Sequence, residues 1–125
     1  MKIDIGKTKD ALIDIDRASE FTGDDVDQFS KLVDLEHEYE NVLVVIPALN
    51  ASAVVSIYSQ LDGAIDTVPV QVQTLDDNAT GHFAKATSSG AGSIVVTFDK
   101  INARYIRVKA AANQVADRTF QVRGC

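Results

Sequence analysis

The sequence predicts an all-β domain, an antiparallel β-sandwich of jelly-roll or immunoglobulin-like type. Short β-branched and apolar runs recur from Val42 to the C-terminus, with Gly, Asp, Asn and Pro between them. Strand periodicity dominates there, and no amphipathic helix of ten or more residues interrupts it. The 125-residue length fits one domain, 1–125, with a core large enough to need neither disulfide nor metal.

The N-terminal residues are the least regular. Ile3/Ile5 and Leu12/Ile13/Ile15 alternate briefly, while Asp10 and Gly23-Asp24-Asp25 have turn chemistry. Residues 1–30 are therefore expected to be an N-terminal arm or extra strands. Residues 31–39 read two ways: Leu32, Leu35 and Tyr39 fit a helix, but Val33, Leu35, His37 and Tyr39 continue in period two through Leu43 and Val45. The longer series favours a strand. Val42–Ile46 is continuously apolar, which suits a strand buried on both faces and closed by Pro47. Residues 53–59 form the next strand, and Asp62-Gly63 signals a turn.

Val68, Val70 and Val72 alternate with Pro69, Gln71 and Gln73, and the proline points to a sheet edge or a strand start. Residues 76–81 have loop composition, 82–87 a weak strand pattern, and 88–92 that of a flexible turn. Ser93–Phe98 is a strand. In the strand 104–109, Ile106 and Val108 face inward and Tyr105, Arg107 and Lys109 outward. Residues 111–117 are read as a loop. The strand 119–123 turns Phe120 and Val122 inward.

Charge excludes one class of partner. The net charge is −6, against the clustered Lys and Arg that phosphate neutralisation needs, so nucleic-acid binding is not expected. Residues 1–50 carry 12 acids and 5 bases; residues 101–125 carry one acid and five bases. Such asymmetry can steer association. No run reaches the ~18 apolar residues of a membrane span. The N-terminus lacks a signal-peptide core, so synthesis in the cytoplasm and no membrane association are expected.

The catalytic inventory is thin. Only His37 and His82 are present, and no Gly-x-Ser-x-Gly occurs. On a strand, Glu36 and Glu38 point away from His37, so the triplet does not converge on a metal. Asp24-Asp25-x-Asp27 and Asp76-Asp77-Asn78 offer hard oxygen ligands, but neither has calcium-loop spacing. Cys125 is the single cysteine, and no Trp supplies a sugar platform. The sequons at Asn50 and Asn78 have meaning only in a secreted eukaryotic protein. The expectation is a non-enzyme with no catalytic residue, no cofactor and no metal.

The segments Val44-Val45-Ile46-Pro47-Ala48-Leu49, Ser52–Ile57 and Leu61-Asp62-Gly63 resemble a recurrent pattern in small virion proteins of tailed bacteriophages. The ending Arg104-Tyr105-Ile106-Arg107-Val108, then Ala112-Asn113-Gln114 and Ala116-Asp117-Arg118-Thr119-Phe120, with Val122-Arg123-Gly124, resembles the same group more closely. The resemblance spans residues 31–125. It departs after Gly63, where the group has aromatic residues before a proline and this chain has Ala64-Ile65-Asp66-Thr67-Val68. The resemblance implies a β-sandwich that decorates or cements the capsid, with the major capsid protein as partner and a homo-oligomer, a trimer favoured. The alternative it leaves is a tail or head-fibre part, or a carbohydrate-binding module, contacting host glycans. On that reading, Arg107, Lys109 and Arg123 line one basic face if the last two strands pair. Asp24, Asp25 and Asp27 then reach a neighbour's basic face.

Overall fold

The computed structural model describes residues 6–50, 53–74, 82–83, 85–87 and 92–125. The strands are β1 (Lys9–Ile13), β2 (Val33–Tyr39), β3 (Val42–Ile46), β4 (Val54–Gln60), β5 (Val70–Gln71), β6 (Gln73–Thr74) and β7 (His82–Phe83). They continue with β8 (Lys85–Thr87), β9 (Ile94–Phe98), β10 (Ala103–Ala110) and β11 (Arg118–Gly124). No helix occurs among the described residues, and residues 111–117 form bends. The expected loop at 76–81, the Asn78 sequon, the Ile3/Ile5 alternation and residues 88–91 lie outside the described residues.

Two antiparallel sheets face each other. The first runs β1-β11-β3-β9; the second runs β2-β10-β4, whose far edge is shared by β5 and β8. The small β6–β7 pair stands apart. From β1 to β4, and again from β8 to β11, each strand lies in the sheet opposite its predecessor. The chain thus winds around the core of a β-sandwich, crossing from one sheet to the other at each of these connections.

The core follows from alternation. Ile13, Val42, Val44, Ile46, Phe120 and Val122 point inward from the first sheet, opposite Leu35, Val55, Ile57, Ile106, Val108 and Ala110 of the second. Each such Val, Ile or Phe contributes roughly 1.5–3 kcal/mol by leaving water. In β3 only this inward set is sealed; Leu43 and Val45 are half-buried on the outer face. The expectation that Val42–Ile46 is covered on both faces is corrected accordingly.

Residues 6–30 belong to the sandwich. β1 pairs β11 along its whole length, and the Gly6 N–H donates to the Gly124 carbonyl at 2.9 Å. The Ser30 N–H then donates to the Val108 carbonyl, and the Ala110 N–H to the Gln28 carbonyl, extending the β2 edge of the second sheet.

β2 carries an irregularity. Its register against β10 shifts between Tyr105↔Asp34 and Ala103↔Tyr39. Within the shift Glu36 adopts φ 72°, a left-handed conformation that side chains other than Gly, Asn and Asp seldom take. The Asp34 carboxylate holds it there: Oδ1 accepts the Glu36 N–H at 2.7 Å and the Arg104 Nε–H at 2.8 Å. Replacing Glu36 by glycine is expected to leave the thermal midpoint equal or higher, since the lost Lys9 pair is exposed. Valine at the same position is expected to lower it. A thermal melt of the two variants checks both.

Candidate functional site

The outer face of the second sheet carries Tyr58 from β4 and Arg107 and Lys109 from β10. Alternation places these side chains on the correct face, but the face is not open. Residues 17–30 fold across it, and Phe21, Phe29 and Tyr58 form an edge-to-face chain with ring separations of 5.3 and 4.9 Å. Arg107 lies beneath this cover with 0% exposure. Its Nη1 donates to Glu20 Oε1 at 2.8 Å and to the Ser30 carbonyl at 3.2 Å. Its Nη2 donates to the Ile65 carbonyl at 3.0 Å, and the guanidinium sits 4.7 Å from the centre of the Phe21 ring. Arg107 is therefore a buried tie between the 17–30 segment, the 62–67 loop and the sheet, and not an outward interface cation.

Asp24 is corrected for the same reason. Its side chain is fully buried and bonds Arg17, and its carboxylate also accepts the Glu20 N–H at 2.9 Å. Burial pushes the Asp24 carboxyl up. The Arg17 hydrogen bond, the Glu20 N–H and the charges of Arg17 and Arg107 outweigh it, so the net shift is below the ordinary value of 3.8. A depressed folded pKa means that the stabilisation is complete above the unfolded value and is lost as pH falls through the folded one. Acid is thus expected to loosen residues 17–30 below the usual carboxylate range. Asp24→Asn should remove that step from an acid titration followed by the Phe21 and Phe29 ring NMR signals. Asp25 remains exposed and Asp27 half-exposed, on the turn beside Asp24.

The last two strands do not pair. β11 lies in the first sheet and β10 in the second, so Arg123 projects from the opposite outer face to Lys109. No single face holds Arg107, Lys109 and Arg123, because strand order is not encoded in alternation. Arg123 lines a shallow groove with Thr8, Leu43, Val45 and Gln121. Lys109 is half-buried, with Nζ 5.0 Å from the centre of the Phe29 ring and 5.5 Å from that of Tyr58.

The sequence reading missed the β4–β5 connection. Val68 and Val70, aligned by alternation with the buried Val72, are 54% and 70% exposed; Ile65 is 55% exposed and Leu61 fully so. The loop that bears Leu61, Ile65 and Val68 is built, not slack. The buried Gln60 amide donates to the Asp62 and Ala64 carbonyls at 2.9 and 2.6 Å. Asp62 Oδ1 accepts the Ala64 N–H at 3.0 Å and the Thr67 hydroxyl at 2.8 Å, and Arg107 holds the Ile65 carbonyl. The available signal was four large apolar residues within ten positions of a turn-forming stretch.

His37 is exposed, and its ring meets Tyr39 edge-on at 6.2 Å. Among the described residues no three His, Cys, Asp or Glu side chains converge on a possible metal position. The Asn50 amide oxygen accepts from Arg118 at 2.8 Å and from the Val115 N–H at 3.3 Å, so it serves the internal packing. The Asp76-Asp77-Asn78 cluster and the His82 side chain lie outside the described residues. No family model, curated protein or solved structure matches the chain.

Proposed function

We propose that the chain is a structural protein of a phage virion, a capsid decoration (cement) protein that binds and stabilises the head shell. The observation that carries this reading is the β4–β5 loop. It holds three exposed apolar side chains, Leu61, Ile65 and Val68, in a hydrogen-bonded frame anchored to a buried arginine, and the exposed Val70 follows at the start of β5. Scattered apolar side chains on a surface mean little, but a concentration of them marks a contact site. Holding the loop in shape beforehand lowers the ordering cost of binding.

Two further features support it. The loop begins at Leu61-Asp62-Gly63, within the stretch that resembles small phage virion proteins. A two-sheet sandwich with a continuous apolar core is a stiff module suited to bridging neighbouring subunits. On this reading the partner is the major capsid protein, the protein sits on the capsid surface after synthesis in the host cytoplasm, and a homo-oligomer, a trimer favoured by the resemblance, occupies a symmetry axis.

Copy number tests the proposal. Quantitative mass spectrometry of purified particles is expected to find the chain at an abundance approaching that of the major capsid protein. A few copies per particle would overturn decoration and favour a tail or head-fibre part, for which a glycan array is the next assay.

A further inference from the structure

We propose that the outer face of the second sheet carries a docking ledge for the carboxylates of an acidic protein surface, built on the row Lys109–Ser56–Lys85. The inference deepens the decoration reading, and rests on it only for the partner's identity. Register creates the row. Ser56 of β4 is the cross-strand neighbour of Lys109 on β10 and, on its other side, of Lys85 on β8. Directly paired residues share a face, so both ammonium stems rise beside one serine. Two strand spacings put the lysine backbones about 10 Å apart.

Among the described residues neither lysine has a carboxylate within ion-pair distance, although acids outnumber bases 18 to 12 in the chain. Lys109 is held in place by the Phe29 and Tyr58 rings. Ser56 is 6% exposed, and its hydroxyl has no hydrogen-bond partner among the described residues. Two cations without a carboxylate partner among the described residues, on either side of a serine hydroxyl that makes no hydrogen bond there, are an arrangement that an incoming carboxylate completes. The ledge is a flat row on a sheet rather than a concave pocket, which favours a protein surface over a small ligand.

The test uses the full-length protein and a glutamate-rich peptide at low salt, followed by amide NMR shifts. Shifts are expected at residues 54–58, 85–87 and 107–109. Binding by the K85E/K109E variant should be roughly tenfold weaker, as for two exposed ion pairs replaced by repulsion. K7E/K100E serves as the matched control and should bind like the parent. K85Q/K109Q stands in if the charge reversal disturbs folding. No shifts, shifts spread over Lys7, Lys31 and Lys100, or tighter site-confined binding of a uronate polymer would each overturn the proposal. Shell binding then separates the two claims. A K85E/K109E variant that binds head shells like the parent sinks the ledge and leaves decoration standing. Failure of the parent to bind shells sinks decoration, while the peptide result still judges the ledge.

Discussion

Replacing Arg107 by methionine is expected to destabilise the protein by about 3 kcal/mol, the lower end of the ~3–5 kcal/mol cost of removing one member of a buried ion pair. The lower end applies because the Glu20 side chain keeps 20% exposure and can rehydrate. The Ser30 and Ile65 carbonyls also lose a charged donor. The damage should be directional. Hydrogen exchange is expected to rise first in residues 17–30 and 62–67, the two segments that Arg107 ties to the sheet, and least in β3 and β11. Arg107→Lys should recover only part of the loss, since one ammonium cannot span partners that a guanidinium reaches with two nitrogens. Urea denaturation gives the magnitude. A midpoint unchanged from the parent would show that the cover over β10 does not depend on this side chain.

Gly124→Ala is the second large effect expected. Gly124 ends β11 opposite Val42, and the Tyr39 ring lies against its backbone. A methyl group built there falls inside the ring's contact distance, 2.6 Å from Cε2 and nearer still to Cγ and Cδ2. The other end of the ring packs against the Gly6 backbone, its Cζ and hydroxyl 3.0 Å from where a Cβ there would stand, so retreat of the ring would press it on that segment. Overpacking of this kind costs roughly 1–3 kcal/mol. The Tyr39→Ala/Gly124→Ala double variant should be less destabilised than the sum of the single variants, because the clash exists only when both groups are present. Additivity in a thermal-melt cycle would place the strain elsewhere.

These two sites show what the sequence could and could not disclose. The inward faces of β10 and β11 were legible, since Ile106, Val108, Phe120 and Val122 alternate with polar residues. The boundaries of β3, β4 and β9 were legible from Pro47, Asp62-Gly63 and Gly92. Arg107 was placed on the correct face and given the wrong environment. Alternation reports which way a side chain points, not what lies over it. The cover comes from residues 17–30, which have no period; their only signal is Phe21 and Phe29 in a polar stretch, two large rings that a solvated arm would leave exposed.

The division of β10 and β11 between sheets was not legible for a different reason. Either pairing buries the same residues, and the choice is made by the winding of the whole chain. The β2 irregularity was hidden because Asp34 and Glu36 read as ordinary outward strand residues. Their conformation is set by a side chain–backbone bond and by Arg104, 70 positions away.

The proposed role rests on whether the sandwich binds a head shell. Co-sedimentation of the purified protein with empty expanded head shells of the phage proposed as its source, with stoichiometry read by gel densitometry, tests this most directly. Saturable binding at a simple ratio to the major capsid protein is the predicted result, and the ratio would name the symmetry axis occupied. Protein that stays in the supernatant at every salt concentration would contradict the decoration account.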